Sequence, residues 1–433
     1  MVGDFFPATL SNGVRVYIYP TSKFKTNTVK VFLHNRLGRD TVTHMALAPM
    51  VLKRGCSGLE TRKEIARHLD DMYGARFDAG VFKLGEHHMM QLGLEVVNHK
   101  YVGAGEDLLA RGLDFLRRVT LEPVTSGATG GAAGGETGPS FKREYVEQEK
   151  DVLTREIAGI INEKSRYAVV RCVQEMCGGE PFGLHELGVA EDIPSIDGAS
   201  LYGLYKESLE TNPVDVCVIG DVDREYAFDL VERAFSFDRR GGGEIPGTIR
   251  KKAPGEPRFV TERQAVNQGK LCLGYRVDAS PREDLYPLMF YDGVFGGFVH
   301  SKLFTNVREK ASLAYYASST YNPVKGLLLV TSGIDVDKKD QAFDIICRQA
   351  EDIRKGDVSD EEMDYTRKAL VNRLRSWEDN PASIIASFLE LLALGRPETL
   401  DERIAAVMEV TKDQVIEAAS RVDLDTVYFL TNK

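Results

Sequence analysis

The fold is decided by residues 43–55, which run Thr-His-Met-Ala-Leu-Ala-Pro-Met-Val-Leu-Lys-Arg-Gly. The apolar run predicts a buried helix over residues 41–52, followed by a turn. Pro49 lies inside this helix, where a proline costs about 3 kcal/mol or kinks the chain. Met45, Ala48 and Pro49 supply no general base, and a thioether is a poor ligand for zinc. These three residues therefore offer neither a good zinc ligand nor a catalytic base.

The pattern of strands and helices around this stretch occurs twice in the chain. The paired segments are residues 14–19 with 258–261, 28–33 with 270–275, 41–52 with 285–294, and 214–220 with 426–430. β-Branched and aromatic residues in near-alternation predict strands, and the 41–52 and 285–294 pair predicts helices. A Gly- and Pro-rich stretch between the halves is typical of a linker. We predict an α+β fold of two homologous domains, residues 1–237 and 258–433, joined by a linker at 238–257.

Composition limits the class of partner. The chain has 433 residues, which is long for one hydrophobic core, and a formal net charge of −10 with a pI of about 5.5. This charge argues against nucleic acid and against a basic membrane-binding surface. No apolar run reaches the roughly 18–20 residues of a membrane span, and the N-terminus lacks a signal-peptide pattern. The six scattered cysteines are typical of reduced, buried thiols, so we expect a cytoplasmic protein.

Residues 143–161 predict a helix with two carboxylates on its apolar side. At 100° per residue, Glu149 and Glu156 fall within about 80° of each other and of most apolar side chains of the segment. A carboxylate on a buried face requires a hydrogen bond, a cation or a metal ion. The residues alone leave two interpretations open: a structural network of buried polar groups, or a former or present metal site.

Residues 301–316 place an arginine and a tyrosine seven positions apart. The segment predicts a helix bearing Arg308 that turns through Ala311 and Ser312 into a strand near Tyr315. A guanidinium offers a fixed fork of donors and a phenol offers one more, a pair suited to a peptide carbonyl or carboxylate. From chemistry alone, a surface salt-bridge arginine and a core tyrosine are the favoured alternative.

Two other segments lack the pattern of a site. Residues 125–138 are rich in glycine but have no GK[ST] ending and do not follow a strand, so they predict a surface insertion rather than a phosphate loop. Glu86, His87 and His88 precede a strand-like run. Adjacent residues on a strand face opposite sides, so the two histidines cannot turn into one metal site.

Residues 302–316 resemble the segment LFxxVREKxxLAY of the pitrilysin/insulinase family of metallopeptidases. By this match Arg308 and Tyr315 are substrate-binding residues. The resemblance runs nearly end to end and is to the short, two-domain processing-peptidase type. It implies two domains, each a mostly antiparallel sheet with helices packed on it, that enclose a cleft.

The same resemblance explains the two helices described above. In the family the first helix carries His-x-x-Glu-His, with two histidine ligands and the general base. Met45 and Pro49 stand at the histidine positions here, and Ala48 stands at the position of the base. Glu156 matches the third ligand and Glu149 the carboxylate behind it, so both are vestigial. Because a catalytic zinc needs about three protein ligands, the resemblance implies no metal or other cofactor on this chain.

The resemblance is in particular to the zinc-less partners of bacterial paired insulinase-like proteins. It implies a subunit that is not a peptidase alone, but binds a peptide or protein substrate and supplies Arg308 and Tyr315 to a zinc-bearing insulinase-like partner. The zinc of that heterodimeric peptidase is expected on the partner, and the chain in isolation could form a homodimer. Two alternatives stay open: a purely structural or interaction protein of this fold, and an autonomous peptidase with an atypical metal site.

Overall fold

The computed structural model describes residues 1, 3–102, 105–126, 139–241, 243–280 and 282–432. Residues 127–138 of the predicted surface insertion lie outside this range. In chain order, the strands are β1 (Phe6–Thr9), β2 (Arg15–Pro20), β3 (Thr26–Arg36), β4 (Arg76–Leu84), β5 (His87–Val97), β6 (Thr125–Ser126), β7 (Ser140–Phe141), β8 (Val214–Gly220), β9 (Arg258–Arg263), β10 (Gly269–Val277), β11 (Ala314–Asn322), β12 (Leu327–Ile334) and β13 (Val422–Thr431).

The α-helices cover more of the chain than the strands. They are α1 (Val42–Leu52), α2 (Arg62–Asp70), α3 (Leu108–Leu121), α4 (Arg143–Gly159), α5 (Lys164–Met176), α6 (Gly198–Thr211), α7 (Arg224–Phe235), α8 (Leu285–Asp292), α9 (Lys339–Arg354), α10 (Asp360–Trp377), α11 (Pro381–Ala393), α12 (Leu400–Glu409) and α13 (Lys412–Ala419). Two π-helices, Gly293–Gly297 and Phe304–Lys310, lie between α8 and β11. No helix among the described residues is both long enough and apolar enough to cross a membrane.

The first of two units consists of Met1–Ala158 and Leu184–Gly247. It is built on a six-stranded sheet in the order β1-β2-β8-β3-β5-β4, in which β2 and β8 run parallel and the other neighbours run antiparallel. Apolar residues from one face of this sheet share a single core with α1, α3 and α6. Helix α1 has no polar stripe because every residue of it except His44 is buried.

The second unit consists of Gly159–Gly183 and Thr248–Lys433. Its five-stranded sheet has the order β11-β12-β10-β13-β9, with β13 and β9 parallel and the other neighbours antiparallel. The first π-helix packs tightly on β11: a Cβ at Gly296 would lie 2.6 Å from the backbone nitrogen of Ser319. A side chain cannot fit there, so only glycine allows this approach.

Residues 159–183 fold with the second unit, although the sequence prediction assigned them to a first domain of residues 1–237. Helix α5 packs on β10 and β13, where Cys172 joins a small core with Cys272 and Tyr428. The difference arises because these contacts join residues about a hundred or more positions apart, which a linear pattern does not reveal.

The helices and strands predicted from the repeated pattern are confirmed, with shifts of a few residues at their ends. The α+β class and the mostly antiparallel sheets with packed helices are also confirmed. Pro49 does not interrupt the predicted helix: α1 remains helical to Leu52. The buried neighbours on all sides of α1 stabilise the helical path where proline alone would disfavour it.

Candidate functional site

Helix α1 presents no polar group at the three predicted motif positions. Met45 is 1% exposed and Ala48 is 0% exposed, and Pro49 is also buried. The thioether sulfur of Met45 lies 3.9 Å from the hydroxyl of Ser208, inside the core of the first unit. These positions therefore contribute packing, and none of them can activate a water molecule.

His44 is the one partly exposed residue of α1. Its Nδ1 is buried and has no hydrogen-bond partner among the described residues. Burial lowers the pKa of His44, although Asp192 and Asp197 act in the opposite direction. A neutral imidazole next to buried apolar residues could offer at most one ligand, which does not make a metal site.

Glu149 is buried at 1% exposure and is neutralised by two arginines. Arg54, in the turn after α1, donates from Nε to Oε1 of the carboxylate, and Arg62 at the start of α2 donates to the same oxygen at 2.7 Å. The sequence left two interpretations open, a structural network of buried polar groups or a metal site. Glu149 belongs to a structural network. Its charge is already matched by cations from the protein itself.

Glu156 does not share this environment. It lies on α4 two turns beyond Glu149, and its side chain is exposed. The prediction that both carboxylates lie on the buried face is thus wrong for Glu156, because the buried side of α4 ends at Leu153 and continues only with half-buried residues. Within the described residues, no group of three or more His, Cys, Asp or Glu side chains is arranged to hold a metal ion.

Arg308 lies on the second π-helix, at its exposed side. Val307 is buried beneath it, and Asn306 donates a hydrogen bond to Gln349, so the inner side of the helix is fixed to α9. The guanidinium carbon lies 4.5 Å from the centre of the Phe304 ring, within the range of a cation–π contact. The guanidinium of Arg308 therefore lies against an aromatic ring four residues earlier in the chain, and the residue is exposed to solvent.

Tyr315 is the extra residue of a β-bulge at the start of β11. Ala314 lies opposite Ile334 and Tyr316 lies opposite Gly333, so Tyr315 has no partner in the register with β12. Its side chain is 70% exposed. A bulge redirects the side chain of its extra residue, and bulges are over-represented beside active sites.

Ser312 links the π-helix to the bulged strand in a left-handed conformation, with φ of 51°. Such a conformation is uncommon for a non-glycine residue and is maintained by its surroundings. The hydroxyl of Ser312 donates to the backbone oxygen of Glu309, and the Leu313 amide donates to Val307. These contacts fix the path between Arg308 and Tyr315.

Arg308 and Tyr315 have no hydrogen-bond or ion-pair partner in the part of the chain that the structure describes. The alternative of a salt-bridge arginine and a core tyrosine is therefore wrong for both residues. An exposed guanidinium and an exposed phenol on adjacent elements can donate to a carbonyl, a carboxylate or an oxyanion. They supply neither a nucleophile nor a metal.

Sequence reasoning missed the two arginines that bind Glu149. Arg54 lies in the quoted stretch, and Arg62 follows the helix-capping residue Thr61. The signal that could have found them is the pattern itself: a buried carboxylate requires a cation, and two arginines follow α1 closely in the chain.

The fold and the site together define a class of protein: two α+β units, the first of which contains a buried helix with no polar group at its three motif positions. Residues 195–370 match the family model described as Peptidase M16 inactive domain. The chain is 35% identical over 420 residues to the probable inactive metalloprotease YmfF of Bacillus subtilis, which covers 96% of each chain.

Two further comparisons agree with this match. The chain is 24% identical over 285 residues to the uncharacterized zinc protease YmxG of Bacillus subtilis, covering 64% of this chain and 67% of that protein. The crystal structure of a conserved protein from Enterococcus faecalis superposes with a TM-score of 0.87 at 27% identity, covering 100% of this chain and 99% of that one. The chain belongs to the M16 family of pitrilysin- and insulinase-like peptidases, and to its inactive type.

Proposed function

We propose that this chain is the zinc-less subunit of a heterodimeric M16 peptidase, in which it binds the substrate peptide and lends Arg308 and Tyr315 to a zinc-bearing partner. The observation that carries the proposal is the contrast between two parts of the chain. The positions of a metal motif are apolar and buried, whereas Arg308 and Tyr315 are exposed and, among the described residues, have no hydrogen-bond or ion-pair partner.

The hydrogen-bond donors of Arg308 and Tyr315 suit a bound peptide whose carbonyl becomes an oxyanion during cleavage. A guanidinium and a phenol can donate to the carbonyl of the bound peptide and to the oxyanion that replaces it when water adds. These donors stabilise negative charge, but the attacking water must be activated elsewhere. The proposal therefore assigns the zinc and the base to the partner, and the vestigial carboxylates Glu149 and Glu156 hold no metal.

The relatives support a pairing of two kinds of chain. Bacillus subtilis has one relative named as an inactive metalloprotease and another named as a zinc protease. Two such chains in one organism are the components that the proposed heterodimer requires. Under this proposal the assembled enzyme acts on peptides in the cytoplasm.

The first experiment is reconstitution. The purified chain is mixed with an M16 chain of the same organism that carries an intact His-x-x-Glu-His, and hydrolysis of a fluorogenic peptide mixture is measured. We expect cleavage by the mixture that greatly exceeds cleavage by either chain alone, together with a stable complex in size-exclusion chromatography. A complex that forms and never cleaves peptides would contradict the proposal and favour a structural role.

A tyrosine variant tests the site within the complex. Tyr315→Phe removes one donor and keeps the ring, so we expect kcat to fall by about 10²-fold, the effect of losing one oxyanion donor. Tyr365→Phe is the control, because Tyr365 is also exposed in the second unit and its hydroxyl donates to Glu361 on the same helix. Equal activity of both variants would exclude Tyr315 from the site.

A further inference from the structure

A second cluster of titratable residues lies on one face of the sheet in the first unit. It consists of Arg15 on β2, Asp215 on β8, His34 on β3 and His87 on β5. The register explains the cluster: Arg15 lies opposite Asp215, and His34 lies diagonal to both Asp215 and His87 on neighbouring strands. The family motif and the proposed function use none of these residues.

The two imidazoles face each other through the same ring nitrogen. Nδ1 of His34 lies 3.5 Å from Nδ1 of His87. This distance is longer than an ordinary N–H···N hydrogen bond. It is close to the roughly 3.3 Å that separates two histidine ligands of one tetrahedral ion when each metal–nitrogen bond is about 2.0–2.1 Å.

The contact with Asp215 fixes the position of the His34 ring proton away from this gap. Nε2 of His34 lies 2.8 Å from Oδ2 of Asp215, so the proton of the neutral His34 ring faces that carboxylate and leaves a lone pair on Nδ1. The His87 ring is hydrogen-bonded to the backbone of Pro246. Proline has no N–H, so His87 is the donor in that bond. A carboxylate that accepts from the second ring nitrogen, as Asp215 does from His34, is the arrangement that orients metal-binding imidazoles.

A guanidinium lies beside the two imidazoles: Nη2 of Arg15 is 3.4 Å from Nε2 of His34. Arg15 is itself paired with Asp215, which offsets its repulsion of a cation. His87 is half-buried, so solvent can reach one side of the gap.

We propose that His34 and His87 bind one divalent transition-metal ion of the zinc class between their Nδ1 atoms, with Asp215 as a positioning residue and solvent completing the coordination. The site would link β3 to β5. With two protein ligands it falls short of the three of a catalytic zinc site and of the four of a closed structural site, so we expect exchangeable, regulatory binding. It is separate from α1 in sequence and independent of the proposed peptidase function.

The test is a metal titration of the full chain. Zn²⁺ binding is measured by calorimetry, and Co²⁺ replaces it for visible absorption bands. We expect one equivalent bound by the wild-type chain, and a loss of affinity of more than about tenfold in both His34→Gln and His87→Gln. His99→Ala is the control, because His99 is exposed and lies outside the cluster.

A measurement on the wild-type chain keeps the test independent of folding in the variants. With ¹⁵N-labelled histidine, Zn²⁺ should shift the ring Nδ1 signals of two of the eight histidines. No binding by the wild-type chain, binding that survives either glutamine substitution, or a loss of binding in the His99→Ala variant would overturn the proposal.

Discussion

Glu149 and Glu156 lie two turns apart on α4 and have opposite surroundings. Glu149 is buried between Arg54 and Arg62, and Glu156 is exposed. A helical wheel places both on one side, but it has no information about where the neighbouring elements end. The need for a cation beside Glu149 could be predicted from its burial, and Arg54 and Arg62 were the nearby candidates. That both reach the carboxylate depends on tertiary packing, because Arg62 comes from a separate helix.

This contrast gives a prediction for stability. Glu149→Ala should lower the free energy of unfolding by about 3 kcal/mol, because it leaves the largely buried Arg54 without a counter-charge. Glu156→Ala on the same helix should change it by less than about 0.5 kcal/mol. Urea unfolding followed by circular dichroism measures both values. Equal losses would show that the arginine pairs do not stabilise this region.

At the scale of elements, a buried ion-pair network fixes the chain after α5 to the sheet of the second unit. Glu180 accepts from Arg276 at 2.6 Å and from Lys325 at 2.8 Å, and Arg276 also donates to Asp425 at 2.7 Å. Hydrogen bonds from Arg276 and Lys325 lower the pKa of Glu180 against the effect of its burial. The network explains why residues 159–183 fold with that unit.

Lys325 and Lys251 offer a matched comparison on this network. The side chain of Lys325 is 0% exposed, whereas Lys251 approaches the same carboxylate at 3.7 Å with its side chain 50% exposed. Lys325→Ala should lower the free energy of unfolding by about 3 kcal/mol and Lys251→Ala by less than about 1 kcal/mol. Chemical denaturation checks both, and a larger loss for Lys251→Ala would refute this assignment.

A second network ties β9 and β13 to α5 and makes stability depend on pH. Burial raises the pKa of Glu262, but hydrogen bonds from Tyr428, Gln264, Tyr167 and Arg171 outweigh it and lower the pKa from 4.5 to about 2. Because the folded-state pKa is depressed, the contribution of Glu262 to the free energy of unfolding is complete above pH 4.5 and is lost as the pH falls towards 2.

The variant Glu262→Gln isolates this contribution. The denaturation midpoint of the wild-type chain should exceed that of the variant above pH 4.5, and the gap should narrow steadily between pH 4.5 and about 2. Glu256→Gln, at an exposed position before β9, should keep a constant difference over the same range. A difference in midpoint that grows as the pH falls would show that folding raises the pKa of Glu262 instead of lowering it.

At the scale of the whole molecule, the duplicated pattern predicted the class of fold, because strand and helix periodicity is local. The packing of α5 in the second unit and the His34–His87 cluster could not be predicted, because both depend on which strands become neighbours in a sheet. The exposed positions of Arg308 and Tyr315 also depend on backbone detail, a π-helix and a bulge, that composition does not encode.

The zinc content of the purified chain distinguishes a non-catalytic subunit from an autonomous peptidase. A chain carrying both His34→Gln and His87→Gln should hold no stoichiometric zinc at neutral pH, because the remaining described residues offer no cluster for it. Atomic emission on the purified chain measures this. One zinc per chain in that double variant, with peptide cleavage by the chain alone, would support an atypical peptidase centre.

The most direct test of the central claim is the kcat/KM of the reconstituted pair with Arg308→Ala, compared with Arg375→Ala, an exposed arginine of the same unit. We expect kcat/KM to fall about 10²-fold for Arg308→Ala, to recover only partly with Arg308→Lys, and to stay at the wild-type value for Arg375→Ala. Full activity of the pair that contains Arg308→Ala would contradict the claim.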